Sequence, residues 1–287
     1  MKTIKTLFYV AFLTAVAASA ALAGDYADLK FIGFSADGSY MAFEESGEFD
    51  GAGGNYATTY YIDVEKNKYA LPASVFEKWD EPSLQDRGFR SKRSYLSEVA
   101  AKLAKLKIVR GNTGKLMFAR LLTDWTSVQP VDTESRWTKD GKEITKIVPN
   151  YDSAFLFRGN TPEKVIFNPY LNMNSFNTDS FYELNLNLKP ATSDQCTEDA
   201  YMIEMTLEDR THHEDLETQV LQKDTSIPKA RHCPYGYHIE QVYLYKDHLA
   251  VFLNMFSQGF EGPDMRYMAV TGLFEYDSVL YSYNKKK

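Results

Sequence analysis

The chain has 287 residues, 44% of them hydrophobic and 25% charged, an ordinary globular balance that argues against intrinsic disorder. With the first 23 residues set aside, 30 basic side chains face 39 acidic ones, a net charge of −9 without a basic block. That balance argues against nucleic acid as a partner, and equally against docking on anionic lipid.

The first element is an export signal. Lys2 and Lys5 precede an apolar run from Leu7 to Ala18, and Ala21-Leu22-Ala23 forms a small-x-small cleavage site. The run, roughly 12 residues, falls short of the ~20 that a membrane-spanning helix needs. Residues 1–23 are therefore read as a signal peptide. A mature chain starting at Gly24 would work as a secreted or periplasmic protein without membrane insertion, and residues 24–287 would be one β-rich domain.

Strands come next. Leu29 to Phe34, Tyr40 to Glu44 and Thr58 to Val64 are rich in aromatic and β-branched residues, and Ser35-Ala36-Asp37-Gly38 is a turn signal between the first two. An antiparallel meander follows from that spacing. Leu96, Val99, Ala100, Leu103 and Ala104 recur at helical spacing, which predicts one amphipathic helix near residues 92–107 whose basic face is solvated. Pro72, Pro82, Pro130 and Pro162 read as connections.

Strand candidates continue at Lys115 to Leu121, Ile144 to Pro149, Ala154 to Phe157, Phe181 to Leu188 and Tyr201 to Leu207. Asp140-Gly141, before Ile144, signals a hairpin turn. Leu184, Leu186 and Leu188 alternate with Glu and Asn, the period of a half-buried strand. The last candidates are Tyr237 to Tyr245, Leu249 to Phe256 and Arg266 to Val270. The fold expected is mainly β, an antiparallel meander that is propeller-like at the N-terminus, with a two-sheet β-sandwich as the alternative.

The chain has two cysteines, Cys196 and Cys233, both in the exported part. Two thiols in an oxidising compartment usually pair, and this link closes a loop of roughly 38 residues, worth about 4 kcal/mol on the chain-entropy model. His232 beside Cys233 leaves zinc as the alternative, without a CxxC to support it. His212-His213-Glu214-Asp215 with Glu217 lacks the HExxH spacing and reads as a surface loop.

Phe34-Ser-Ala-Asp-Gly-Ser-Tyr-Met-Ala-Phe43, followed by Tyr60-Tyr-Ile-Asp-Val64, resembles the WD-like propeller repeat of the Tol-system propeller protein, in a single copy. A wider set of pieces resembles a bacterial family of predicted secreted proteins of unknown function. These are Gly33 to Glu45 with the Asp50-Gly51 loop, Ile227 to Tyr237, and Leu249-Ala-Val-Phe252 with Gly259 to Asp264. The resemblance implies export and a coherent fold, and it implies no activity.

Carboxylates beside glycines are densest at Glu44, Glu45, Glu48 and Asp50, with Glu261 and Asp264 near the other end. Both ends place an acidic-glycine turn after a strand, so Glu45, Glu48, Asp50, Glu261 and Asp264 could share a rim that binds a ligand or a calcium ion. Asp50-Gly-Ala-Gly-Gly-Asn55 does not follow the EF-hand pattern. The same groups could serve a glycosidase-like hydrolase, which needs two carboxyls at about 5–5.5 or 6.5–9.5 Å. GxSxG, P-loop and GxGxxG motifs are absent, so no catalytic residue is nominated. A non-catalytic binding protein with an envelope protein or glycan partner is the leading expectation, and the hydrolase is the alternative.

Overall fold

A computed structural model describes residues 24–49, 53–79, 91–120, 161–169, 182–191, 196, 200–210, 218–259 and 262–274, and the backbone of 133–137 and 143–147. Within these residues the protein is mainly β, with three antiparallel four-stranded sheets and one α-helix.

The N-terminal sheet is a meander of β1 (Asp28–Phe34), β2 (Tyr40–Glu48), β3 (Gly54–Asp63) and β4 (Lys68–Trp79). The turn read from Ser-Ala-Asp-Gly joins β1 to β2. Gly38 N–H donates to Ser35 O at 3.0 Å, and Asp37 Oδ1 accepts from Ser35 Oγ and from Ser39 N–H. The Ser35 hydroxyl holds the Asp37 carboxyl below its usual range, and the Ser39 amide adds to the effect. β4 corrects the expectation that Pro72 marks a connection. The strand lies at the sheet edge, where a residue without an N–H is tolerated.

The helix α1 (Lys92–Lys105) is capped by Ser91, whose side chain accepts from Ser94 N–H. It covers the outer face of the N-terminal sheet, packing Tyr95, Val99 and Leu103 on Ile32, Ala42, Tyr61 and Phe76. The inward stripe therefore runs through Tyr95, whereas Leu96, expected in the core, is 49% exposed.

The central sheet has the order β14-β13-β12-β5, built from β5 (Lys115–Ala119), β12 (Gly236–Tyr245), β13 (His248–Gln258) and β14 (Pro263–Leu273). The third sheet, at the opposite side from the helix, has the order β11-β10-β9-β8: β8 (Lys164–Phe167), β9 (Tyr182–Pro190), β10 (Tyr201–Asp209) and β11 (Thr218–Lys223). β6 (Thr133–Trp137) and β7 (Glu143–Ile147) form a separate antiparallel hairpin. The Asp140-Gly141 turn, the strand expected at Ala154 to Phe157 and the His212-His213 stretch lie outside the described residues.

Order along the stack is helix, N-terminal sheet, central sheet, third sheet. β13 shows why. Leu249, Val251, Leu253 and Met255 join the core shared with the third sheet, while Ala250 and Phe252 join the core shared with the N-terminal sheet. Period-2 alternation thus feeds two cores, and ten consecutive residues of β13 are buried. Two bulges preserve the inward faces. In β1 the register slips between Phe31 and Gly33, which keeps Phe31 and Phe34 on one side, with rings 5.2 Å apart. In β12 it slips between Ile239 and Gln241, which keeps Tyr237, Ile239, Val242 and Leu244 on one side and buries Glu240.

Asn67 ties all three sheets together from the β3–β4 turn. Its amide donates to Leu221 O and Gln222 Oε1 of β11, and its Oδ1 accepts from Thr271 N–H of β14. The backbone there is left-handed, a conformation asparagine tolerates better than most residues. Cys196, between β9 and β10, lies at disulfide distance from Cys233, with Cα atoms 5.6 Å apart. The pair would staple the third sheet to the segment entering β12.

Candidate functional site

The N-terminal segment and the C-terminal hairpin meet at one end of the interface between the N-terminal and central sheets. Residues before β1 run beside the β14 edge, with Ala27 N–H donating to Met265 O and Met265 N–H to Asp25 O. Arg266 of β14 donates to Asp25 Oδ2 at 3.2 Å and to the Tyr56 hydroxyl of β3, and its guanidinium lies 4.4 Å from the Tyr56 ring centroid. Burial pushes the Tyr56 hydroxyl up to about 12 against the opposing charge of Arg266, with Glu45 and Asp25 adding to the rise. Phe49 stands 5.0 Å from Tyr56 and stacks on Trp79 at 4.0 Å with rings nearly parallel. The result is a rim on which the stacked Phe49 and Trp79 are half-buried, backed by the buried Tyr56 and next to an arginine and a carboxylate.

Among the carboxylates singled out in the sequence, Glu45 is only 5% exposed. Its Oε1 accepts from Tyr60 Oη at 2.7 Å and its Oε2 from Tyr267 N–H at 3.0 Å, so it bridges β2, β3 and β14. Burial raises the Tyr60 hydroxyl strongly, and the neighbouring Glu45 charge adds to it. Tyr267 is raised by burial and by Glu240, Asp28 and Glu45. Asp264 accepts from Asp25 N–H at 3.0 Å and so holds the N-terminal segment against the hairpin. Glu48 is exposed at the end of β2, opposite Asn55. Asp50 and Glu261 lie outside the described residues, and with them the distance between the two acidic turns. Glu44 points the other way, toward α1, and accepts from Tyr95 Oη at 2.7 Å.

The structure therefore brings Glu45 to β14 and Asp264 to Asp25, each held by a structural donor. Sequence reasoning missed Asp25, Tyr56, Trp79 and Arg266. The contacts of Arg266 reach 210 and 241 positions along the chain, and no local pattern announces such pairings. Among the described residues no group of three or more His, Cys, Asp or Glu could hold a metal ion.

A family model described as "Predicted secreted protein (DUF2259)" matches residues 42–272. The chain belongs to this family of secreted proteins. The match runs from β2 to β14 and so takes in both halves of the rim, Glu45 with Tyr56 and Trp79 on one side and Asp264 with Arg266 on the other. It does not extend to the propeller resemblance of the N-terminal meander. No curated protein and no solved structure matches the chain significantly. No described helix is long and apolar enough to cross a membrane.

Proposed function

We propose that this family member is a non-catalytic binding protein of the cell envelope, exported by cleavage after Ala23, whose ligand is a glycan held at the rim. The stack of Trp79 on Phe49 beside Tyr56 and Arg266 carries the proposal. Sugar rings present apolar faces that settle on aromatic planes, while their hydroxyls take hydrogen bonds from fixed polar groups. Both oxygens of Glu45 are already engaged inside the interface, which supports a structural rather than a hydrolytic role for that carboxylate.

The test uses the exported chain with soluble envelope polysaccharide fractions, in wild type and Trp79→Ala. Capture that falls roughly tenfold in the variant, without release of reducing ends by the wild type, supports binding. Release of reducing ends by the wild type, lost in Glu45→Gln, overturns it in favour of a glycosidase. Addition of millimolar calcium in the same assay examines whether the acidic rim uses a cation. N-terminal sequencing of exported protein should return Gly24, and an intact Met1 in the membrane fraction would refute the cleavage.

A further inference from the structure

The outer surface of α1 is the most basic part of an acidic protein. Between Lys92 and Arg110 the chain carries Lys92, Arg93, Lys102, Lys105, Lys107 and Arg110 against the single acid Glu98. The stretch is +5, and the remainder of the exported chain is −14. Glu98 is neutralised locally, since Lys102 Nζ lies 2.6 Å from its Oε1. Lys92, Arg93, Lys105, Lys107 and Arg110 are all exposed and form no ion pair among the described residues.

The charge is arranged in a specific way. Lys92 and Arg93 stand at the start of the helix, and Lys105, Lys107 and Arg110 at and beyond its end, about 20 Å away at 1.5 Å per residue. Between them the face opposite Tyr95, Val99 and Leu103 carries Ser94, Ser97, Ala101 and Ala104, all exposed, with Leu96, 49% exposed, on its flank. Val109, beyond the helix end, is 48% exposed. Cations spread along a flat strip do not converge on one phosphate or one carboxylate. They suit a surface whose negative charge is itself spread out, with the small side chains of the middle letting the helix lie close to it and the long basic stems reaching toward the headgroups.

We propose that the α1 face docks peripherally on an anionic phospholipid membrane surface. The net charge of the chain argued against any such contact, and the fold answers that objection for the distant layers, although residues 24–79, which hold the helix-bearing sheet, are themselves net −6. Stacked sheets lie about 10 Å apart and the Debye length is about 8 Å at physiological salt. Charges on the third sheet, two layers behind the helix-bearing sheet, are therefore screened from a membrane in front of it. Docking through α1 would leave the rim accessible at a different surface.

Flotation with vesicles tests this. Exported protein should float with vesicles containing a quarter phosphatidylglycerol in phosphatidylcholine, and not with phosphatidylcholine alone. Each basic residue near an anionic surface contributes about fivefold, so losing three of them weakens binding on the order of 100-fold, and the triple reversal Lys92→Glu, Arg93→Glu, Lys105→Glu should weaken it by at least that much. The double replacement Lys92→Arg, Lys105→Arg should retain it, and raising the salt severalfold should weaken the wild type by more than tenfold. These side chains are exposed, so an unchanged Tm for the reversed variant is the folding control. Absence of flotation with anionic vesicles at low salt, equal flotation with neutral vesicles, or flotation indifferent to the charge reversal would each overturn the proposal. Trp79→Ala should float like the wild type, which separates failure here from failure of the glycan reading.

Discussion

The two faces of the central sheet are built from different chemistry. Toward the third sheet, β13 presents Leu249, Val251, Leu253 and Met255 to Leu184, Leu186, Ile203 and Met205, a seam that is mostly aliphatic, although Phe167, Tyr182, Tyr237 and Phe274 belong to the same core. Toward the N-terminal sheet it presents Phe252 to the rings of Phe31 at 5.1 Å and Phe43 at 5.3 Å, with Tyr243 and Tyr60 close by. The second seam also holds buried polar groups: Glu45, Glu240, and Asn254, whose amide donates to Glu240 at 3.3 Å. An aliphatic seam is adhesive and tolerant of small shifts in volume, whereas aromatic edges and buried hydrogen bonds fix one relative placement. The specified seam is the one whose end carries the rim.

Neighbouring truncations on β13 sharpen that contrast most. Phe252→Ala should cost about 4 kcal/mol and Leu253→Ala about 3 kcal/mol, the usual range for emptying a packed core site. Because one strand serves both seams, both variants should melt in a single transition followed by near-ultraviolet circular dichroism. Two separated transitions would instead mean that the N-terminal sheet and helix fold apart from the rest, and that residues 24–287 are not one domain.

Covalent support falls on the aliphatic side. Cys196 and Cys233 are 37 positions apart in the chain, and their link should contribute about 4 kcal/mol by restricting the unfolded state. Non-reducing peptide mapping of exported protein should find them joined. Two thiols open to alkylation in the native protein would remove this support and leave the third sheet held by packing alone.

Much of this plan was legible in the chain, for physical reasons that can be named. The β9 alternation of Leu184, Leu186 and Leu188 with Glu183, Asn185 and Asn187 reports a strand with one wet face, and β9 is such a strand from Asn185 onward, while Glu183 is buried. β13 carries no alternation, since both its faces are covered, so only its apolar run was visible. Bulges at Gly33 and Glu240 change which face receives odd residues, and no periodic reading detects that slip. β4 was hidden by Pro72, and β8 and β11 are too short or too polar to announce themselves. Of the site, Glu45 and Asp264 were named from the sequence as rim carboxylates, and the bonds that tie them to β14 and to Asp25 were not foreseeable. Tyr56 and Arg266 meet only because two sheets stack.

Asn67 offers a sharper probe of how the layers are joined. Alanine there removes bonds to β11 and β14 together and places a residue less suited to a left-handed backbone, so a loss of about 2 kcal/mol is expected in urea melts. Asn67→Gly relieves the backbone without restoring the bonds, and should recover only part of it. Full recovery by glycine would assign the effect to conformation and deny the role of the bridge.

At the polar seam, Tyr60→Phe leaves Glu45 buried with one donor fewer, and should cost about 1–2 kcal/mol. Its volume is nearly unchanged, so the value isolates the hydrogen bond from packing. A neutral result would show that the seam is held by its aromatic contacts, and would erase the contrast with the aliphatic side.

The smallest effect is expected at the ion pairs of the third sheet, where charge and not packing is at stake. Burial acts to raise the Glu183 carboxyl, yet its bonds to Lys164 and Asn185 and the charges of Lys164 and Arg210 prevail and hold it below the usual glutamate range. Lys164 Nζ is 2.8 Å and Arg210 Nη2 3.1 Å from its oxygens. A carboxyl whose folded value is depressed contributes stability that is fully present above its unfolded value, near pH 4.3, and lost as pH falls through the folded value. Wild-type Tm should therefore decline from about pH 5 toward pH 3. Glu183→Gln, which binds no proton in that window, should start lower at pH 7 and decline less steeply. Glu204, depressed by bonds to Lys189 and Lys223, lies on the same sheet and should shift in the same direction. Its exposure makes its share smaller, because water screens an exposed pair. Parallel acid profiles for wild type and Glu183→Gln would mean that acid loosens some other part of the molecule first, with the buried Glu45 and Glu240 seam as the next place to look.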